Sequence, residues 1–287
     1  MDRLGTNENT SRHISLNKVF EEQGFKKAGA PEIKVENISP LKSWWAGEGL
    51  DPDLLNQLLL NIDYIDRLKF DKALGLMASD LVSFAGGEPL TVLYEGGRKK
   101  YKKSGDFILE NLKPKISTLG KIEFVNYGDF DNAIKVNKRS VAGEINKIAY
   151  IDDWTLSGSQ FLLDFGKHGG NGRFLDRVAQ KKAFFVAANA VATEYLKTKS
   201  TEEGLGWQFK NYIDSSLVGT KLTQEQNEYL HDKIPNAAGW SGWPMSSLIY
   251  GFWKLPDNFP KLFTGADNFL TRKKLKPILN FKQPYYK

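Results

Sequence analysis

Short apolar segments alternate with helical segments from residue 90 onward, and this alternation constrains the fold more than any other feature of the chain. Helices are expected at 104–113 and 157–167. Strands are expected at LTVLYE (90–95), IEFVNY (122–127), KIAYID (147–152) and AFFVAANAVA (183–192). Connections of this length suit the crossover helices that parallel strands require. We therefore predict an α/β fold with a mostly parallel sheet flanked by helices, in which ligands bind beyond the carboxyl ends of the strands.

The segments outside this alternation predict a further division of the chain. Residues 1–49 have weak periodicity and form an N-terminal extension. Asp51-Pro52 is typical of a helix start, and the leucines that follow at helical spacing predict a helical lead-in to a core that spans residues 50–198. Residues 199–265, rich in Trp, Gly and Pro toward their end, predict a hood over the end of the sheet, and residues 266–287 a basic tail.

Composition excludes several classes of protein. With 41% hydrophobic residues, the 287-residue chain can bury a sizeable core. The absence of cysteine excludes disulfides, thiol nucleophiles and cysteine metal sites, which agrees with a cytoplasmic location. No segment approaches the run of about 18 apolar residues that a membrane helix needs, so no membrane partner is expected. The chain also lacks P-loop, dinucleotide-binding and serine-hydrolase motifs, and its three histidines have no metal-ligand spacing.

Positive charge is concentrated in two places on a chain of formal net charge +6. One cluster is Arg98–Lys103, and the other, in the tail, comprises Arg272, Lys273, Lys274 and Lys276. Such clusters can contact the phosphates of a nucleic acid. The alternative is a solvated turn and a basic tail, and no motif of a nucleic-acid-binding fold is present.

Two adjacent aspartates follow the third predicted strand. Asp152 stands at its carboxyl end and Asp153 is expected to begin the loop, so both carboxylates would emerge at the ligand-binding edge. Adjacent carboxylates are suited to hold the vicinal hydroxyls of a ribose, or a divalent cation through water. Asp152 and Asp153 are therefore our candidate catalytic residues and candidate Mg²⁺ ligands. The alternative is that they only cap the next helix.

A turn rich in hydroxyl groups comes next. It consists of Thr155, Leu156, Ser157, Gly158, Ser159 and Gln160. At a helix start, backbone N–H groups, the helix dipole and short hydroxyls form an anion site, and Gly158 allows a close approach of the backbone. The sequence thus predicts two carboxylates that bind a ribose, followed by a turn that binds a phosphate. The alternative is that the turn is an ordinary one.

The segment IAYIDDWTLSGSQ resembles the PRPP-binding loop of the type I phosphoribosyltransferases at nearly every position. The departure is Trp154, where that family has a smaller aliphatic residue; it would stack on a ligand or pack beneath the loop. The resemblance implies that Mg²⁺-PRPP or a related ribose-phosphate nucleotide binds with Asp152 and Asp153 at its ribose and residues 155–160 around its 5′-phosphate. A carboxylate would then stabilise an oxocarbenium-like transition state.

The resemblance also implies a diphosphate loop and a mobile loop. The first core strand ends in Glu95, and Gly96, Gly97, Arg98 and Lys99 follow it, offering N–H groups and positive charge to a diphosphate. A solvated basic turn is the alternative. The connection 128–146 lies where the mobile loop of that family would be.

The C-terminal segment is similar to the ending of phosphoribosyltransferase-like proteins from bacterial conflict and antiphage gene clusters. The elements that carry this likeness are Gly239-Trp240-Ser241-Gly242 and Pro256-Asp257-Asn258. It implies an effector with operon-encoded protein partners, and Trp240 would either stack on a base or belong to the hood core. A glycosyltransferase, a nucleotide N-glycosidic-bond enzyme, a non-catalytic nucleotide sensor acting through partners and a nucleic-acid-associated protein all remain open.

Overall fold

The structure is a computed structural model that describes residues 32–33, 35–97, 103–116, 121–167, 175–239, 242–251, 259–264 and 269–280. The chain divides into two compact units. The first comprises the described parts of Met1–Asp66 and Ser216–Gln283, and the second those of Arg67–Ser215. None of the described helices is long and apolar enough to cross a membrane.

The elements are numbered in chain order through both units. The strands are β1 (Glu32–Ile33), β2 (Asp63–Ile65), β3 (Leu90–Tyr94), β4 (Ile122–Asn126), β5 (Lys147–Thr155), β6 (Gln180–Ala188), β7 (Trp207–Asp214), β8 (Ile249–Gly251) and β9 (Leu279–Asn280). The α-helices are α1 (Ile38–Gly47), α2 (Pro52–Leu60), α3 (Arg67–Ala85), α4 (Ser104–Leu112), α5 (Phe130–Val141), α6 (Ser159–Phe165), α7 (Ala190–Glu202), α8 (Val218–Lys221), α9 (Gln224–Lys233), α10 (Lys261–Thr264) and α11 (Phe269–Arg272). Short 3₁₀ turns lie at Val35–Asn37, Lys113–Lys115 and Pro235–Ala237.

The second unit is built on a five-stranded sheet in the order β4-β3-β5-β6-β7. All four strand pairs are parallel. The connection that leaves β3 leads to β4 on one side, whereas β5, β6 and β7 follow one another on the other side. The order therefore reverses between β3 and β5, and in open parallel sheets this reversal opens a crevice at the carboxyl ends of the two strands.

Helices cover both faces of this sheet, as strands with near-continuous apolar sequences require. On one face, α3 packs on β6, and the rings of Phe84 and Phe184 lie 6.4 Å apart. On the other face, α5, α6 and α7 contribute to a buried cluster in which the rings of Tyr150 and Phe161 are separated by 5.5 Å. The prediction of an α/β fold with a mostly parallel sheet flanked by helices is confirmed.

The first unit has its own, mainly helical core. Its two small sheets pair β1 with β9 in antiparallel and β2 with β8 in parallel orientation. Asp51 accepts a hydrogen bond from the N–H of Asp53 at 2.9 Å and so caps α2, as the Asp-Pro pair predicts. Trp45 and Trp243 are both 0% exposed and belong to one apolar cluster. The indole N–H of Trp243 donates to the carbonyl oxygen of Ile234 at 3.0 Å.

The predicted boundaries differ from those of the units. Strand β7 lies within the segment assigned to the hood, so the sheet-bearing unit extends past residue 198, while α2 belongs to the first unit. The predicted strand 183–192 contains the end of β6, and α7 begins right after Asn189. The connection 128–146 contains α5, which Asp129 caps through the N–H of Asp131 at 3.1 Å, so a mobile loop along this whole connection is a wrong prediction.

A Trp-rich hood is not confirmed. Trp243 is a core residue of the first unit, and Trp240 and the segment Pro256–Asn258 lie outside the described residues. In the basic tail, the ammonium of Lys273 lies 3.3 Å from a carboxylate oxygen of Glu48 and 5.6 Å from the ring centroid of Trp44. At least one tail cation is therefore engaged within the first unit.

Candidate functional site

Two of the predicted loops start at the same crevice. Tyr94, the last residue of β3, pairs in register with Ile151 of β5. Glu95 and Gly96 follow on one side, and Asp152 and the hydroxyl-rich turn follow on the other. The structure thus brings the start of the expected diphosphate loop and the expected ribose-phosphate loop to adjacent strands, where the strand order reverses.

Asp152 is half-buried and its carboxylate has a fixed orientation. One oxygen accepts a hydrogen bond from the hydroxyl of Tyr150 at 2.9 Å, and the other accepts from the backbone N–H of Asp153 at 2.8 Å. Tyr150 is 2% exposed, and burial, with the charge of Asp152, raises its pKa well above the ordinary value. Tyr150 is therefore a neutral hydrogen-bond donor that orients this carboxylate at neutral pH.

Asp153 does not lie where the sequence predicts it. Strand β5 continues to Thr155, because Trp154 and Thr155 still pair with Ala187 and Ala188 of β6. Neighbouring residues of a strand point to opposite faces, so the carboxylates of Asp152 and Asp153 diverge. Asp153 is 2% exposed and accepts the N–H of Trp154 at 3.0 Å. The expectation that Asp153 begins the loop is wrong.

Because the two carboxylates diverge, they are poorly placed to bind one Mg²⁺ ion together. Magnesium needs several oxygen ligands around one position, and Asp152 and Asp153 present theirs to opposite faces of the sheet. In the part of the chain that the structure describes, no three His, Cys, Asp or Glu side chains are grouped to hold a metal ion. The pair does not fit a shared Mg²⁺, and we derive no step through one.

The hydroxyl-rich turn is shaped by contacts within the protein. Gly158 has φ +74°, a left-handed conformation, and a Cβ placed there would lie 2.9 Å from Cγ of Leu196. The glycine is thus required by the packing of α7 as well as by the backbone angle. Asn189 donates its side-chain N–H to the carbonyl oxygen of Leu156 and accepts from the N–H of Ala192 at 2.7 Å, so it joins the turn to the start of α7.

The exposed side chains of this segment are those at its helical end. Thr155 is buried, Ser157 is half-buried, and Ser159 and Gln160 are exposed. The hydroxyl oxygen of Ser157 accepts from the N–H of Ser159 at 3.2 Å. Trp154 is 9% exposed, which favours packing within the fold over an open stacking face.

A row of polar residues, which the sequence does not reveal, crosses the three strands at the crevice. Tyr94 of β3 is aligned with Asn126 of β4 on one side and with Ile151 of β5 on the other. The next residue on each strand therefore belongs to one row, which consists of Glu95, Tyr127 and Asp152. The residues two positions earlier, Val125, Leu93 and Tyr150, all belong to the buried cluster on one face. Because side chains alternate along a strand, we infer that the row projects from that same face.

Asp164 of α6 completes this row. It accepts hydrogen bonds from the hydroxyl of Tyr127 at 3.0 Å and from the side-chain amide of Gln160 at 3.1 Å. Burial raises the pKa of Tyr127 first, and the charges of Asp164, Glu95 and Asp152 raise it further. Burial, and to a smaller extent Glu95, also raises the pKa of Asp164, although its two hydrogen bonds oppose the shift.

The two described glycines of the expected diphosphate loop, Gly96 and Gly97, use their backbone donors internally. The N–H of Gly96 donates to Oδ1 of Asn126 at 2.9 Å, and the N–H of Gly97 donates to a carboxylate oxygen of Asp106 at 2.6 Å. The same oxygen accepts the N–H of Lys103 at 2.8 Å, and the ammonium of Lys103 pairs with Glu95. Arg98 and Lys99 lie outside the described residues.

Two comparisons of the sequence leave this geometry without an independent assignment. Comparison of the chain with models of protein families and with curated proteins found no match to either. The site must therefore be interpreted from its own residues. Its principal members are Asp152, Glu95, Tyr127 and Asp164 around the crevice, with Ser157, Ser159 and Gln160 at the adjoining turn.

Proposed function

We propose that the protein binds a ribose 5-phosphate ligand, PRPP or a nucleotide, at the carboxyl ends of β3 and β5. The observation that carries the proposal is the position of the segment IAYIDDWTLSGSQ: it spans a central strand, a turn and a helix start where the order of a parallel sheet reverses. The resemblance of this segment to a PRPP-binding loop supports the same ligand.

Asp152 is the residue that we propose for ribose recognition. Two donors already orient its carboxylate, and each carboxylate oxygen has more than one lone pair, so further hydrogen bonds from ribose hydroxyls can be accepted. A hydrogen bond to a charged group contributes about 1.5–3 kcal/mol. The role of Asp153 is reduced to supporting the strand, because it is buried on the other face.

The turn after β5 is the proposed 5′-phosphate site. Ser157, Ser159 and Gln160 supply hydroxyl and amide groups next to the first N–H groups of α6. At C1 of the ribose, departure of a leaving group develops positive charge, which the carboxylates of Asp152 and Glu95 would stabilise electrostatically. The protein would then be a glycosyltransferase or an enzyme that acts on a nucleotide N-glycosidic bond.

The wider role that we propose is that of an effector in a bacterial antiphage system, acting with partners encoded in the same operon. Its support is the resemblance of the C-terminal segment around Gly239–Gly242, and the site geometry does not bear on it. A nucleotide sensor without turnover would use the same ligand site, so a product assay on the bound ligand separates the two.

Calorimetric titration of the wild-type protein with ribose 5-phosphate and 2-deoxyribose 5-phosphate tests the ligand class. We expect Asp152→Asn to weaken ribose 5-phosphate binding by about 10- to 100-fold, since it removes a charged hydrogen-bond acceptor. Asp214→Asn, at the carboxyl end of β7, is the matched control and should bind as the wild type does. Failure of the folded wild type to bind either sugar phosphate, or equal losses in both variants, would contradict the proposal.

A further inference from the structure

We propose that Tyr127 and Asp164 are positioning residues, which join the phosphate turn (residues 155–160) to Asp152 and so couple the 5′-phosphate and ribose parts of the site. This inference rests on the proposed function and gives a role to two residues that the function leaves unassigned. It follows from hydrogen bonds that described residues of β4, β5 and α6 make with one another.

A chain of hydrogen bonds runs from the phosphate turn to the carboxylate proposed for the ribose. At one end, the side-chain amide of Gln160 donates to Oδ2 of Asp164 at 3.1 Å, and the hydroxyl of Tyr127 donates to the same oxygen at 3.0 Å. At the other end, the hydroxyl of Tyr150 donates to Asp152 at 2.9 Å. The hydroxyls of Tyr127 and Tyr150 are in hydrogen-bond contact with each other, so the chain is continuous.

Packing fixes the two tyrosines in the middle of this chain. Tyr127 and Tyr150 are 9% and 2% exposed, and their rings lie 5.9 Å apart in an edge-to-face arrangement. The ring of Phe165, which belongs to α6, lies 5.1 Å from that of Tyr127 and 5.0 Å from that of Tyr150. The positions of both phenol oxygens are therefore fixed, and hydrogen bonds in such buried surroundings reinforce one another.

Two phenol protons serve three contacts in this chain. Burial raises the pKa of Tyr127 and of Tyr150 above the ordinary value, so each keeps its single proton at neutral pH. These protons serve the carboxylate of Asp164, the carboxylate of Asp152 and the contact between the two hydroxyls. At least one proton is therefore shared between two acceptors, and a change in the hydrogen bond at one end alters the donor that is present at the other.

The two ends of the chain are groups that the proposed function assigns to the ligand. An amide nitrogen has two N–H groups, so Gln160 can donate to Asp164 and to a phosphate oxygen at the same time. Asp152 can likewise accept from Tyr150 and from a ribose hydroxyl. A ligand with both a ribose and a 5′-phosphate thus meets groups that are oriented together, and residues of one hydrogen-bond network are typically coupled in free energy.

The test is a double-mutant cycle, measured by calorimetric titration of the full chain with ribose 5-phosphate. We expect the affinity loss of the double variant Gln160→Ala/Asp152→Asn to differ by about threefold or more from the product of the two single losses. In a Tyr127→Phe background, which lacks the central hydroxyl, the losses should multiply to within about twofold. Asp164→Ala breaks the chain at another link and should abolish the coupling as well, so the test does not depend on one variant.

Tyr212→Phe is the matched control for the loss of a tyrosine hydroxyl. Tyr212 also donates its hydroxyl to a carboxylate, that of Asp80 at 2.8 Å, but lies on β7 of the same sheet. The coupling between Gln160 and Asp152 should survive this substitution. A coupling that the shared ligand transmits by itself would survive Tyr127→Phe too, because the ligand is the same in every background.

The outcomes separate this inference from the proposed function. Losses that simply multiply in the wild-type background would overturn the inference. A coupling that persists in folded Tyr127→Phe or folded Asp164→Ala, or that disappears in Tyr212→Phe, would also overturn it and leave the ribose-phosphate site intact. Absence of ribose 5-phosphate binding to the folded wild-type protein would refute the proposed function itself.

Discussion

Replacement of Gly158 by alanine tests how the phosphate turn is held in shape. Two effects oppose a Cβ at this position. The backbone has φ +74°, and an alanine in the left-handed region costs about 1–2 kcal/mol. The new methyl group would also lie 2.9 Å from Cγ of Leu196 and 3.3 Å from Cδ1 of Tyr195, an overpacking that typically costs about 1–3 kcal/mol. We therefore expect Gly158→Ala to lower the free energy of unfolding by about 2–5 kcal/mol.

Gly143→Ala is the matched control for the backbone effect. Gly143 has φ +78°, and a Cβ added to it would have no neighbouring atom of the described residues within 4 Å, so only the left-handed conformation should be penalised. Urea denaturation followed by circular dichroism gives the free energy of unfolding for each variant, and an unchanged m-value shows that the same transition is compared. The difference between the variants, about 1–3 kcal/mol, isolates the packing of the turn on α7.

A double variant sharpens this test. Leu196→Ala removes the nearest obstacle and leaves the contact with Tyr195, so Gly158→Ala made in that background should lose most of its steric penalty and retain the backbone one. Equal losses for Gly158→Ala and Gly143→Ala, with no coupling to Leu196, would refute the reasoning. The turn would then be held by something other than its contact with α7.

Two further predictions concern the row at the crevice. Tyr150→Phe removes the hydroxyl that orients Asp152 at 2.9 Å, so affinity for ribose 5-phosphate should fall about tenfold while that for inorganic phosphate stays the same; equal losses for both would contradict it. Burial is the main cause that raises the pKa of Asp164 above its ordinary 3.8. Just above pH 3.8, Asp164 is therefore still protonated in the folded protein, whereas in the unfolded chain it has lost its proton. Its contribution to the free energy of unfolding therefore falls as pH rises through this window, and urea denaturation of Asp164→Asn should lack this fall, which Asp214→Asn should retain.

The sequence predicts the sheet because its inner strands are continuous apolar runs joined by connections of helical length. It fails at β7, where WQFKNYID is neither a continuous apolar run nor a regular alternation of polar and apolar residues. Among the described strands, β7 pairs with β6 alone, at the edge of the sheet, so part of its surface tolerates polar residues. The end of β6 was also misplaced, because alanines on both sides of Asn189 fit a strand or a helix. In the structure, the hydrogen bond that Asn189 accepts from the N–H of Ala192 marks the helix start.

The sequence predicts those site residues that are neighbours in the chain and misses those that only the fold brings together. The position of Asp152 follows from the strand that precedes it, and the turn follows from its composition. Because Asp153 is next to Asp152 in the sequence, the two were expected to act together. Neighbouring side chains of a strand point to opposite faces, however, so their carboxylates are separated. The partners in space come from other strands: Glu95, Tyr127 and Asp152 are the last residues of three predicted strands. Only the register of the sheet aligns them, and only the orientation of α6 brings Asp164 to them.

The central claim is that a ribose 5-phosphate ligand binds at the end of β5, and amide chemical shifts test it most directly. Isotope-labelled protein titrated with ribose 5-phosphate should show its largest backbone N–H shifts at Asp152 and Ser157–Gln160. The N–H groups of Gly96 and Gly97, held by Asn126 and Asp106, should move less. Saturating ligand that leaves residues 152–160 unshifted, or that shifts only residues of the first unit, would contradict the account.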